Sequence, residues 1–101
     1  MRGEELMDKT VYGAGGEVIG DVENVVVSRR DRAGALVVGV GGFLGIGERQ
    51  VAIPFDQVRM GPDGRLETDF DKQRVSQMPA YDAGGYEPVD RDRPLAEGMA
   101  R

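Results

Sequence analysis

The chain has 101 residues, no cysteine, no histidine, and a net charge of -5 from 18 acidic and 13 basic side chains. That length supports one small domain, and the missing residue types exclude disulfides, thiolate catalysis, Ser-His-Asp or Cys-His nucleophiles and ordinary zinc centres. The acidic balance disfavours non-specific adhesion to nucleic acid or anionic lipid.

Only 6% of residues are aromatic and 16 are glycine, so the core must come from Val, Ile and Leu held in tightly turned β-structure rather than a helical bundle. No apolar run is long enough for a transmembrane helix. The opening Met1–Leu6 lacks the apolar stretch of a signal peptide, which makes the cytoplasm the expected location unless a segment precedes Met1.

Residues 1–8 are polar and read as a flexible N-terminus. Thr10-Val11-Tyr12 is a short β-prone run that stops at Gly13-Ala14-Gly15-Gly16. Glu17 to Val27 is rich in β-branched residues and reads as a long strand. Ile19 and Val22 are three apart with Gly20 between them, which breaks strict alternation and predicts a bulge or bend there. Ser28 to Gly34 is a polar turn, and Ala35 to Val40 returns as the second arm of a hairpin. Gln50 to Phe55 alternates, with Val51, Ile53 and Phe55 on one face, and Pro54 must lie at an edge or end the strand.

Val58-Arg59-Met60 and Arg65 to Thr68 flank the turn signal Gly61-Pro62-Asp63-Gly64. Asp71 is a helix N-cap ahead of Lys72–Met78, and Pro79 stops the helix. Phe70 and Val75 have the spacing of a hydrophobic staple. From Asp82 the chain is mostly Gly, Pro, Asp, Arg and Glu, so residues 82–101 read as a disordered polar tail. Six short strands with tight turns and one short C-terminal helix predict an all-β fold, an antiparallel barrel or a rolled sheet.

Two segments carry a resemblance. Gly16-Glu17-Val18-Ile19-Gly20-Asp21-Val22-Glu23-Asn24-Val25 resembles the opening hairpin of PRC-barrel domains, and Val38 to Val58 is closer still. The second segment, with Asp71 to Tyr81, is similar to the bacterial stand-alone branch of that family. The resemblance spans about residues 9–81, the whole predicted domain. It implies a small six-stranded antiparallel β-barrel with one short C-terminal helix, of the kind found in the cytoplasmic part of the photosynthetic reaction-centre H subunit and in the C-terminal domain of the ribosome maturation factor RimM. Both are non-catalytic and bind other macromolecules. This chain shows neither the membrane anchor of the first nor the translation-factor-like domain of the second, so neither specific function transfers.

Chemistry-bearing constellations are few. Asp21 and Glu23 share a strand face, most simply a solvated one. Asp69 and Asp71 flank Phe70, and Asp71 is explained as a cap. Asp90 and Asp92 lack the spaced ligands of an EF-hand. The glycine-rich stretch has neither the Gly-Lys-Ser/Thr of a Walker loop nor the third glycine of a dinucleotide fingerprint, and a strand follows it where both motifs need a helix. No catalytic residue, cofactor or metal is expected.

Two surfaces remain. Arg29, Arg30 and Arg32 cluster at the hairpin tip, where an RNA-phosphate or anionic-lipid contact competes with a solvated turn diluted by Asp31. The sequence places no aromatic stacking platform beside them, which favours the solvated turn. The connection Gly39–Gly47 carries five glycines around Phe43, Leu44 and Ile46. Strand connections are normally polar, so these three either plug the barrel or meet a partner. Burying each is worth roughly 1.5–3 kcal/mol, enough for either role. The expectation is Phe43 inward, Leu44 and Ile46 outward. The functional expectation is a non-enzymatic adaptor acting through protein–protein contacts, with a homo-oligomer, a dimer foremost, built on Phe43, Leu44 and Ile46. The alternative is an RNA- or ribosome-associated module using Arg29, Arg30 and Arg32.

Overall fold

The computed structural model describes residues 6–41, 49–61 and 63–88. Its strands are β1 (Thr10–Tyr12), β2 (Val18–Ser28), β3 (Gly34–Val40), β4 (Arg49–Pro54), β5 (Val58–Met60), β6 (Leu66–Thr68) and β7 (Tyr86–Pro88). A 3-10 turn at Phe55–Gln57 joins β4 to β5, and helix α1 spans Lys72–Gln77. Among the described residues the strands form one seven-stranded sheet in the order β4-β3-β2-β1-β6-β5, with β7 added to β2 off that path.

Two features correct the expected six-stranded antiparallel barrel. A seventh strand is present, and β1 pairs with β6 in parallel while the other pairs are antiparallel. The parallel pair arises because β6 returns from β5 by a tight turn and lies along the chain's first strand. The outer strands β4 and β5 are joined through Phe55–Gln57, and no ladder pairs them among the described residues. The sheet is therefore curled, and one core draws on every strand of its path. Val11, Val22, Leu36, Ile53, Val58 and Leu66 all lie in one buried cluster.

Bulges in β2 produce much of that curl. Against β1, Val11 pairs with Gly20 and Tyr12 with Val18, which leaves Ile19 as the extra residue. Against β3, Val22 pairs with Val38 and Asn24 with Val37, which leaves Glu23 as the extra residue. Each insertion shifts the phase of the strand, so Ile19, Val22 and Val25 all face the core at a spacing of three. The predicted bend at Gly20 is the first of these. Gly20 permits it, since a Cβ there would collide with the Gly39 carbonyl.

Helix α1 forms as predicted. Asp71 caps it by accepting a hydrogen bond from the Arg74 N–H at 2.7 Å. Val75 is buried and Phe70 packs on the same cluster, which completes the staple. At its other end Arg49 donates through Nη2 to the carbonyls of Ser76 and Met78 at 2.6 and 2.8 Å. That guanidinium satisfies orphan carbonyls and complements the helix dipole.

Both chain ends differ from expectation. Residues 1–8 read as flexible, yet Leu6 is fully buried in the core, Met7 packs against it, and the Asp8 N–H donates to the Val22 carbonyl at 2.9 Å. A hydrophobic pair in an otherwise polar stretch was too short to register as an element. Residues 82–101 read as a disordered tail, yet Asp82 caps a 3-10 turn at Ala83–Gly85 and β7 follows. Residues 1–5 and 89–101 lie outside the described residues.

Candidate functional site

β3 runs from the arginine turn at its start to the glycine connection at its end. Along the chain, the two segments singled out in the sequence therefore flank one strand, Gly34–Val40. Phe43, Leu44 and Ile46 lie outside the described residues. What frames them is described. Val40 pairs with Arg49 across the hairpin, and Arg49 is the residue that holds the C-terminus of α1. The Arg49 Nε is buried with no hydrogen-bond partner among the described residues.

The arginine turn is closely built. The Ser28 N–H donates to the Ala33 carbonyl at 2.8 Å and the Arg32 N–H to the Ser28 carbonyl at 2.9 Å, with Arg32 in the left-handed region at φ 63°. The Asp31 carboxylate accepts from the Ala33 N–H at 3.0 Å. That bond, helped by the Ser28 hydroxyl, holds the Asp31 carboxyl below its ordinary value. Asp31 thus builds the turn as well as diluting its charge.

The three arginines do not act together. Glu87 of β7 accepts from Arg29 at 3.1 Å and from Arg32 at 2.8 Å. Those guanidiniums keep the Glu87 carboxyl below its ordinary value. Arg30 is left out of that clamp and borders an open cleft of about 850 Å³. The turn, Pro54–Gln57, Phe70, Arg74 and Tyr86 complete the cleft walls.

The cleft has an arginine–aromatic character that the sequence did not display. The Arg74 guanidinium lies 5.2 Å from the Phe70 ring centroid, and the Tyr86 ring packs against Tyr81 at 5.4 Å, tilted by 42°. The Phe55 ring underlies Gly34, where a side chain would collide with it. The absence of aromatics near the arginines held only along the chain. Phe70 comes from the approach to α1 and Tyr86 from β7, and both arrive at the turn through strand pairing that local sequence does not encode.

The carboxylates have structural partners. Asp21 accepts from the Thr10 hydroxyl at 3.0 Å, Glu23 from Gln50 at 2.6 Å, and Asp69 from Arg59 at 2.7 Å. Asp21 and Glu23 are exposed, as the strand-face reading expected. Among the described residues no group of three His, Cys, Asp or Glu side chains could hold a metal ion, and no helix is long and apolar enough to cross a membrane. Asp90 and Asp92 lie outside the described residues.

A short curled sheet around one main core, closed at one side by a small helix, defines a small β-barrel-type module. The sequence matches the family model described as PRC-barrel domain over residues 1–75, and the chain belongs to that family. Comparison with curated proteins gives no match. The family match ends within α1, so the segment that carries Tyr81, Tyr86 and Glu87 lies beyond it.

Proposed function

We propose that this chain is a non-enzymatic adaptor that works through protein–protein contacts and self-associates. The observation that supports the proposal is the cleft at the start of β3, taken with the apolar sequence of the connection that follows that strand. The cleft is bordered by Arg30, Arg74 and aromatic rings. The glycine connection bears Phe43, Leu44 and Ile46. Arginine and aromatic side chains are the residues that dominate protein interfaces, and an apolar segment in a strand connection is the usual mark of an association surface. A module with both can hold a copy of itself at one and another protein at the other. Want of histidine and cysteine supports a non-catalytic role, as does the engagement of Asp21, Glu23, Asp69 and Asp71 in local hydrogen bonds.

The RNA reading is weaker. Glu87 engages Arg29 and Arg32 within the molecule, and with Asp31 it offsets two of the cluster's three positive charges, which leaves a net charge of about one for a phosphate. Absolute mass by light scattering, for the native chain and for Leu44→Ser with Ile46→Ser, tests the proposal. The native chain is expected to be a dimer that the double substitution weakens at least tenfold, the loss of two apolar anchors. A native chain that stays monomeric at the highest soluble concentration removes self-association from the proposal.

A further inference from the structure

The outer face of the sheet carries its own small core. Val26, Ala35 and Val37 are buried there, apart from the main cluster, and what packs on them is Ala52, Tyr81 and Tyr86. Tyr81 and Tyr86 belong to a strap, residues 81–88, that crosses this face. Its contacts are few. The Tyr81 N–H donates to the Gln50 carbonyl at 2.8 Å, the Arg29 N–H donates to the Gly85 carbonyl at 3.0 Å, β7 pairs with Val26–Ser28, and Glu87 meets Arg29 and Arg32. β7 fills the edge of β2 that β1 leaves open, since β1 pairs only as far along β2 as Asp21.

We infer that this strap is an exchangeable strand, and that the occupant it trades places with is the same segment of a second copy. The inference rests on the self-association reading above and gives it a mechanism. Three observations carry it. The acceptor surface is apolar and would be exposed without a strap, so some strap must cover it. The strap is a separate layer, so its departure leaves the main core of Val11, Leu36, Ile53 and Leu66 intact. The link between strap and domain is Pro79-Ala80. Before it, Met78 has an extended backbone (φ -72°, ψ 147°) and its carbonyl is pinned by Arg49. On its far side the Tyr81 N–H meets Gln50, next to Arg49, so the strap is joined to the domain through a two-residue hinge, and short hinges of this kind are where identical segments exchange. An identical segment from a second copy meets identical partners, so exchange loses no contact. Glu87 supplies the charge that docks between Arg29 and Arg32 in either arrangement.

Reciprocal charge reversal tests this on the full chain. One preparation carries Glu87→Arg. The other carries Arg29→Glu with Arg32→Glu. Each alone sets like charges together at the strap. Mixed, the two preparations restore opposite charges at both exchanged straps, but only between unlike chains. Native mass spectrometry of the mixture is expected to show heterodimers over homodimers by roughly tenfold above random pairing, the weight of two exposed ion pairs at each strap. Random pairing, or monomers alone, overturns the inference. A dimer formed only by the glycine connection gives random pairing, so failure here leaves that reading standing, and a heterodimer here survives a monomeric native chain. Cysteine pairs keep the test decisive should the reversals unfold the protein, since the chain has no cysteine of its own. Val27 and Glu87 are paired across β2 and β7. A chain with both Val27→Cys and Glu87→Cys is expected to close a disulfide. A mixture of the two single variants is expected to give a covalent heterodimer. Closure in the double variant with no heterodimer in the mixture overturns the inference.

Discussion

Gly20 and Gly39 lie close together across β2 and β3, with Gly39 paired to Asp21, and the same small change at each should have different effects. A methyl group at Gly20 meets the carbonyl oxygen of Gly39, with the Val38 side chain 3.0 Å away. Relief requires β2 and β3 to move apart at the bulge that curls the sheet. A methyl group at Gly39 meets the Glu23 carboxylate. That carboxylate is the far end of a flexible, exposed side chain, and it can swing away at the loss of its 2.6 Å hydrogen bond from Gln50. Overpacking that moves backbone costs about 1–3 kcal/mol, whereas the lost surface hydrogen bond costs about 0.5–1.5 kcal/mol. Replacing glycine in an unstrained strand returns about 0.5–1 kcal/mol in reduced unfolded-chain entropy. Gly20→Ala should therefore destabilise by about 1–1.5 kcal/mol, and Gly39→Ala should lie within about 0.5 kcal/mol of the native chain. Urea unfolding followed by circular dichroism gives both values. At this size the first change lowers the melting temperature by about 6 °C. Equal effects at the two positions, or a Gly20→Ala chain as stable as the native one, would refute the close-approach account of the bulge.

The remaining predictions concern the two charged links that tie the C-terminal part to the sheet. Arg49→Met keeps the apolar stem and removes the donors to Ser76 and Met78, so urea unfolding should show a loss of about 1.5–3 kcal/mol, and α1 amides should exchange faster; an unchanged midpoint would mean the guanidinium is dispensable to the helix end. Glu87 titrates below its ordinary value of 4.5 because of Arg32 and Arg29, so the folded chain resists protonation that the unfolded chain accepts. Its stabilising contribution is complete above pH 4.5 and fades as pH falls through the folded value. Carboxyl NMR should place the Glu87 midpoint below the ordinary value in the native chain and return it there in Arg29→Ala with Arg32→Ala, and a midpoint that does not move would dissociate Glu87 from the turn.

How much of this was legible in the chain depends on how local each determinant is. The strands β1 to β6 lie within a residue or so of where period-two patterning and turn residues placed them, because those signals act between near neighbours. The bulge at Ile19-Gly20 was readable from a broken alternation. Asp71 was readable as a cap, because a cap is a contact across three residues. The second bulge at Glu23 was hidden, since Val22-Glu23-Asn24-Val25 carries no glycine or proline to mark it and shows the extra residue only once its partner strand is known.

What the sequence by itself determined is the β-class, the turn positions, the helix with its cap, and the residue types missing from any catalytic repertoire. These follow from backbone preference and composition. Tertiary structure alone decided the parallel pairing of β1 with β6, the burial of Leu6, and the strap whose Tyr81, Tyr86 and Glu87 turn a basic cluster into a clamp beside an aromatic-walled cleft. A polar segment such as 81–88 has no hydrophobic period to betray it. Its order comes from a free strand edge, a separate apolar face and two arginines that the fold assembles from distant parts of the chain.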